Sequence, residues 1–137
     1  MSNVQERLRV LFCDHLAIAR GKYVTLQPGQ GGGARFCRGT FGVTYEKELI
    51  PAPGAMVMEG LPDMEAAYTA EDIRPGWQPF TKVAIGDLKA NDGSPLPMCG
   101  RTALKRAVVD WQAMGYDPMV GIELEAFAFQ IILRCVG

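Results

Sequence analysis

Glycine and proline interrupt the middle of this chain so often that only short secondary structure fits there. Residues 27–35 read Gln-Pro-Gly-Gln-Gly-Gly-Gly-Ala-Arg, and their four glycines and one proline predict a loop. Proline and glycine recur through residues 36–79, where Phe41–Tyr45 and Ala55–Met58 are short apolar or β-branched stretches. This part of the chain therefore predicts short strands joined by long connections.

The regions on either side carry clearer strand patterns. Leu8–Asp14 alternates in the way typical of a strand, and Ile18–Leu26 can return beside it through Arg20-Gly21-Lys22, which predicts an opening hairpin. Thr81–Leu88 is rich in residues that favour strands. Asn91-Asp-Gly93 after it predicts a tight turn.

One stretch near the C-terminal end has the spacing of an amphipathic helix. The pattern predicts a helix over 102–114 with Gly115 just beyond its end. Its apolar stripe consists of Leu104, Ala107, Val108, Trp111 and Met114. We expect Trp111 to belong to the core.

The pattern then changes to period two. From Met119 to about Ile131 the apolar side chains alternate with the others, which predicts a final strand. Several strands, one helix and a last strand indicate an α+β fold in which the helix lies against a sheet.

The composition excludes several classes of partner. Lys and Arg number 14 against 15 Asp and Glu, and the basic residues form no long run, so neither nucleic acid nor an anionic membrane surface is an expected partner. The N-terminal residues lack the basic and apolar pattern of an export signal. No apolar run of membrane-spanning length occurs, and we expect a cytoplasmic protein.

The cysteines and the single histidine suggest no chemistry. Cys13, Cys37, Cys99 and Cys135 are widely spaced without a CxxC pair, so a zinc site is not expected and the thiols are predicted to be reduced and mostly buried. His15 follows Asp14 directly, but adjacent residues of a strand face opposite sides, which favours a structural or surface histidine.

Glu123 and Glu125 are the residues whose spacing points to chemistry. Two residues apart on a strand, they face the same side with their Cα atoms about 6.5–7 Å apart, so their carboxylates can converge. Oxygen ligands suit Mg²⁺ or Mn²⁺, and paired metals serve phosphoryl transfer. The alternative, a strand face that meets water, stays open from spacing alone, and the sequence shows no convincing third ligand.

The order of motifs resembles that of the glutamine synthetase superfamily across nearly the whole chain. Six segments carry the resemblance: Phe12–Lys22, Gly60–Asp63, Arg74–Trp77, Asp92–Pro95, Arg101–Lys105 and Gly121–Phe127. The last segment, Gly-Ile-Glu-Leu-Glu-Ala-Phe, is the most specific of them.

The resemblance implies a domain division and a chemistry. Residues 1–95 would be a β-grasp N-terminal domain, and residues 96–137 the first helix and strand of an incomplete catalytic domain. Glu123 would face the nucleotide-side Mg²⁺ or Mn²⁺, and Glu125 the substrate-side ion. With ATP, such enzymes phosphorylate the γ-carboxylate of glutamate, and ammonia or an amine then displaces phosphate from the γ-glutamyl phosphate. Family members are homo-oligomeric rings.

The chain also departs from the family pattern. The segment nearest to the ammonium-binding one is Phe36–Phe41, which lacks an acid, so the amine is expected to be larger than ammonia, as in γ-glutamyl-polyamine ligases. The remaining metal ligands, nucleotide loop and arginines of the family lie downstream of this segment, and we expect the chain alone to be inactive. Two alternatives remain: a non-catalytic β-grasp module that docks on a full-length paralogue, and an unrelated small domain with solvated glutamates.

Overall fold

Seven strands and one α-helix are the main regular elements of residues 6–129, the part of the chain that the computed structural model describes. The strands are β1 Arg7–Cys13, β2 Ala19–Thr25, β3 Gly32–Cys37, β4 Asp63–Tyr68, β5 Arg74–Pro75, β6 Thr81–Ile85 and β7 Asp87–Lys89. Two 3-10 helices span Arg38–Gly42 and Ala70–Asp72, and the α-helix, α1, spans Gly100–Ala113. The predicted α+β class is confirmed.

The first sheet is built around β1. Its strand order is β2-β1-β6-β5, with β1 antiparallel to β2 and parallel to β6. The pairing of Arg7 with Thr25 and of Cys13 with Ala19 confirms the predicted opening hairpin. A hairpin whose first strand also pairs in parallel with a later strand gives the sheet its β-grasp-like character.

The second sheet packs its inner face against that of the first. Its order is β3-β4-β7, with both pairs antiparallel. Phe12 of β1 meets Phe36 of β3 edge to face, with ring centroids 4.8 Å apart. The largest fully buried side chains of the shared core are Leu8, Val10, Met64, Leu88 and Leu96.

The predicted strand Thr81–Leu88 is wrong in one respect, because it is divided at Gly86 between the two sheets. The Gly86 N–H donates to the carbonyl oxygen of Leu11 over 2.8 Å, next to the end of β6. A Cβ on Gly86 would lie 2.8 Å from the carbonyl carbon of Ala66 and 2.9 Å from its Cβ. Only glycine lets the backbone pass this close to β4.

The glycine-rich loop is shorter than predicted. Residues from Gly32 onward leave the predicted loop 27–35 and form β3, antiparallel to β4. The short stretches Phe41–Tyr45 and Ala55–Met58 form no strand. The first begins within a 3-10 helix, and the second lies in turns. Glycine has a low propensity for strands, but β3 forms because backbone hydrogen bonds to its partner strand β4 stabilise it.

The turn and helix-end predictions are confirmed. Gly93 has φ 82°, and the carboxylate of Asp92 accepts from the Ser94 N–H at 2.9 Å. Gly115 has φ 86° just beyond α1, and its N–H donates to the carbonyl oxygen of Gln112 over 2.9 Å. Within residues 6–129, no helix is long and apolar enough to cross a membrane.

Trp111 is not a core residue. It is 49% exposed and packs edge to face on Tyr116, with ring centroids 5.8 Å apart. No residue of α1 is buried, and Leu104 and Met114 of the predicted stripe are largely exposed. The helix meets the sheets mainly through its N-terminal turns, so its apolar stripe has no sheet beneath it.

The predicted strand 119–131 is not formed over residues 119–129. This segment has no regular structure, and Ile122 and Leu124 are 86% and 94% exposed. A strand needs a neighbour for its N–H and C=O groups, and the described residues place none beside this segment. Residues 130–131 lie outside the described part.

The described cysteines are less buried than predicted. Cys13 and Cys37 are exposed, and Cys99 is buried at the N-terminus of α1. None of these three forms a disulfide within residues 6–129, and Cys135 lies outside that range. The exposed pair stands at strand ends, where the side chain faces away from the core.

Asp14 fixes the turn between β1 and β2. One carboxylate oxygen accepts from the N–H groups of Leu16 and Ile18, both at 2.9 Å, and the other accepts from the Arg20 guanidinium at 2.7 Å. Burial disfavours the charge, but these hydrogen bonds and the Arg20 charge outweigh it and lower the pKa of Asp14. The turn is thereby held with Ala17 at φ 60°.

Replacing Asp14 with Asn tests this turn. The change removes the charge opposite Arg20, and we expect it to lower the free energy of unfolding by about 1–3 kcal/mol at pH 7. Because folding lowers the pKa of Asp14 from its usual 3.8, the loss is complete above that value and shrinks as the pH falls below it. Denaturant unfolding between pH 3 and 7 measures both effects. Asp110→Asn on exposed α1 is the control, and equal stabilities for the two variants would contradict the role of Asp14.

The exposure of residues 119–129 leads to a second prediction, which concerns the hydrogen exchange of their amides. Amides of residues 119–129 should exchange at nearly the rate of an unstructured peptide, on the order of 10³-fold or more faster than amides of β1, because they lack backbone partners. Exchange followed by mass spectrometry or NMR measures the difference. Protection of residues 119–129 equal to that of β1 would show that they form a paired strand in solution.

Candidate functional site

Glu123 and Glu125 both lie on the exposed segment that follows α1. Neither belongs to a strand, and both side chains are exposed. The shared face expected of a strand is therefore not imposed by backbone pairing within the described residues. The assignment of this pair as metal ligands stays a prediction.

No complete metal centre is assembled from the described residues. Within residues 6–129, no three side chains among His, Cys, Asp and Glu come together in a way that could hold a metal ion. Two carboxylates leave most positions around Mg²⁺ or Mn²⁺ to water or to other groups. Glu123 and Glu125 thus supply at most part of a site.

A cluster of four charged side chains joins α1 to the two-sheet domain. Arg101 Nε lies 2.9 Å from an Asp87 carboxylate oxygen, and its Nη2 lies 3.1 Å from Asp72. Lys105 Nζ lies 2.5 Å from the other oxygen of Asp87. We call this the α1 ion cluster; it brings together one helix, the start of β7 and the 3-10 helix before β5.

Thr69 fixes the orientation of the Asp72 carboxylate in the cluster. The Thr69 N–H and hydroxyl donate to one of its oxygens over 2.8 and 2.9 Å, leaving the other for Arg101. The backbone hydrogen bond from Thr69 is the main cause that lowers the pKa of Asp72; the Thr69 hydroxyl and the charges of Arg101 and Lys105 add to it against the effect of burial. Asp72 is therefore ionised at neutral pH.

A groove of about 320 Å³ runs beside the cluster on the outer face of the first sheet. Its lining residues are Leu11, Asp72, Arg74, Trp77, Val83, Ile85 and Arg101. Leu11, Val83 and Ile85 give the groove an aliphatic floor, and the side chains of Arg74 and Arg101 lie at its edge. Arg74 donates to the carbonyl oxygens of Glu71 and Ile73, so this guanidinium is bound to backbone rather than to a carboxylate.

Aromatic rings flank a third arginine, Arg9, near the groove. The Arg9 guanidinium lies 4.7 Å from the ring centroids of both Tyr23 and Trp77, and it donates to the Gln78 amide oxygen over 2.9 Å. The Tyr23 hydroxyl donates to the same oxygen over 2.7 Å. These contacts fasten the turn after β5 onto β1 and β2.

Sequence reasoning missed both arginine clusters. Arg101, Asp72 and Asp87 are separated by 14 and more residues, so no local spacing announces them. Arg9, Tyr23 and Trp77 likewise meet only because β5, β6, β1 and β2 lie side by side. The alternating pattern of β1 does indicate that Arg9 lies on the face of the strand directed away from the core.

His15 and Asp14 do not form a catalytic pair. Asp14 is occupied by turn amides and Arg20, while the His15 ring packs near Phe41 with ring centroids 5.9 Å apart. His15 is exposed, which agrees with the prediction of a structural or surface histidine. Both residues line a cavity of about 340 Å³ that reaches the buried Cys99.

Comparison with known proteins identifies the fold. No protein-family model matches the chain, and no curated protein matches it. A solved structure described as a crystal structure of a novel glutamine synthase homolog is similar over 83% of this chain, with a TM-score of 0.64 and 17% identity. The aligned part is 28% of that structure's chain. The aligned residues therefore share the fold of that part of the homolog, and the chain spans less than a third of the homolog's length.

Proposed function

We propose that this chain is the N-terminal portion of a glutamine-synthetase-type ligase. Such a ligase uses ATP to convert the γ-carboxylate of glutamate to γ-glutamyl phosphate, and ammonia or an amine then replaces the phosphate. The observation that carries the proposal is the fold shared with the glutamine synthase homolog over 83% of the chain. The motif Gly121–Phe127 gives it chemical content, because it is a second, independent likeness to the same family.

Glu123 and Glu125 are the residues that we propose as metal ligands. Carboxylate oxygens fit hard cations such as Mg²⁺ or Mn²⁺. The family resemblance implies that Glu123 would hold the nucleotide-side ion and Glu125 the substrate-side ion. Bound there, the ions would neutralise charge on the phosphate being transferred. Both side chains are exposed and can accept a cation, and residues 6–129 assemble no group of three ligands around a metal, so we propose that the remaining ligands come from the rest of the intact ligase.

The amine is proposed to be larger than ammonia. Residues Phe36–Phe41 carry no acid that could contribute to an ammonium pocket. The geometry supports a structural role for this segment instead, since Phe36 and Phe41 are both buried in the core. We infer an amine whose own carbon chain contributes to recognition, as in γ-glutamyl-polyamine ligases.

The proposed assembly is a homo-oligomeric, cytoplasmic enzyme whose β-grasp domain spans residues 1–95 and whose catalytic domain begins at residue 96. The exposure of α1 and of residues 119–129 supports this division, since both carry apolar side chains that a larger catalytic domain would cover. By itself the chain is expected to lack ligase activity, because it supplies only two of the required ligands.

The same exposed surface supports a second candidate, a non-catalytic module that docks on a full-length paralogue. Sedimentation of the chain alone and mixed with such a ligase would decide between them. A stable complex with a folded ring favours the module, whereas concentration-dependent self-association with no complex favours an incomplete enzyme. Ile122→Ser with Leu124→Ser should weaken either association, because it removes two side chains that are more than four-fifths exposed.

Mn²⁺ binding tests the proposed metal ligands directly. The unaltered chain should bind Mn²⁺ with a Kd of about 1 mM or weaker, because water fills most coordination positions. Binding is measured by the fall of the free Mn²⁺ signal in electron paramagnetic resonance, and Glu123→Gln with Glu125→Gln should abolish this fall.

Glu46→Gln with Glu48→Gln is the matched control for that experiment. These two glutamates are also two residues apart and exposed, but they belong to no family motif. Binding should survive their replacement. Equal Mn²⁺ binding by both double variants would show that Glu123 and Glu125 are merely solvated, and the metal assignment would fail.

A further inference from the structure

The way in which α1 is attached to the domain differs from that of an ordinary surface helix. No residue of α1 is buried, so an apolar face pressed on the sheets does not hold it. Its described side-chain bonds to the sheets are those of the α1 ion cluster, made by Arg101 in the first turn and Lys105 in the second. Charge, rather than apolar burial, fixes this helix.

Arg101 occupies the centre of the cluster. Its guanidinium uses one nitrogen for Asp87 and another for Asp72, and these two carboxylates stand on separate elements. All three side chains are partly buried, between 25% and 35% exposed, which shields them from full solvation. A planar guanidinium can bridge two carboxylates in fixed directions, whereas a lysine ammonium is a single point charge.

The segment that carries the proposed metal ligands begins directly after α1. Beyond α1, the Tyr116 N–H donates to the Trp111 carbonyl oxygen over 3.0 Å, and Gln112 reaches Asp117 over 3.4 Å. The chain then becomes exposed and unpaired up to residue 129. Within the described residues, the start of the segment that carries Glu123 and Glu125 is thus set by the end of α1.

We propose that Arg101 is a positioning residue: by bridging Asp72 and Asp87 it holds α1 in one place on the two-sheet domain, and it thereby fixes the point from which the segment with Glu123 and Glu125 starts. Its importance for catalysis rests on the proposed function, but the contact itself does not. In the intact ligase, the cluster would set where the chain leaves the β-grasp domain toward the proposed metal-binding carboxylates.

Amide exchange along α1 tests the contact. A helix of 14 residues is marginally stable in water when it is detached, so loss of the cluster should let α1 open. We expect Arg101→Gln and Asp87→Asn each to speed exchange in α1 by about tenfold, while amides of Leu8 and Val10 in β1 keep their rates.

Matched variants and salt separate this role from general destabilisation. Arg106→Gln removes an exposed arginine from the same helix and should leave its exchange unchanged. Arg101→Lys should give an intermediate rate, because an ammonium replaces only part of the bridge. High salt should speed exchange in α1 of the unaltered chain and have little further effect on Arg101→Gln. Equal rates in Arg101→Gln and Arg106→Gln would overturn the proposal, as would an equal acceleration of β1.

A distance measurement tests positioning itself. Spin labels on Cys37 and on Ala113→Cys, with Cys13 and Cys135 replaced by Ser and the buried fourth cysteine left in place, report where α1 ends relative to β3. We expect a single narrow distance distribution that broadens when Arg101→Gln is added. An unchanged distribution would refute positioning. Neither experiment involves metal, so the failure of Glu123 and Glu125 to bind Mn²⁺ would refute the proposed function alone.

Discussion

The passage of the chain from β6 to β7 at Gly86 is the contact on which the two-sheet arrangement depends. Gly86 pairs with the carbonyl of Leu11 on the first sheet while its Cα faces Ala66 of the second. A single residue between β6 and β7 thus contacts a strand of each sheet. Any side chain there would meet the backbone of β4 below 3.0 Å, so the sheets would have to move apart. Leu8, Val10 and Met64 can fill a common core only because this approach is close.

The features that sequence predicted well are those that depend on neighbours along the chain. The hairpin of β1 and β2, the turn at Gly93 and the end of α1 at Gly115 follow from alternation and from residues that tolerate positive φ. Each needs no information about distant strands. The division at Gly86 could not be predicted in this way, because the glycine is required by Ala66, which lies twenty residues earlier in the sequence.

Strand β4 forms although its sequence pattern is weak, whereas residues 119–129 form no strand although their pattern is strong. Asp63–Tyr68 has few strong strand formers, yet it lies between β3 and β7 and is stabilised by both. Residues 119–129 have the better alternation, but no neighbouring strand completes their hydrogen bonds within the described residues. The α1 ion cluster was equally unpredictable, because Asp72, Asp87 and Arg101 become neighbours only when both sheets are in place. Glu123 and Glu125 were chosen by pattern and family likeness, and local geometry contributes nothing further to the choice.

The exposed side of α1 explains why charge attaches it. Leu104, Val109 and Met114 are each about three-fifths exposed, and burying a side chain of this size is worth about 1.5–3 kcal/mol. Exposed or half-buried ion pairs contribute about 0–1 kcal/mol each, so the cluster alone is a weaker attachment than the apolar surface could provide. A helix with this composition is therefore most stable when a second apolar layer covers its outer stripe. A catalytic domain continuing beyond Glu123 and Glu125 would supply that layer, and Arg101 would then determine how the layer is aligned with the β-grasp sheets rather than how strongly it is held.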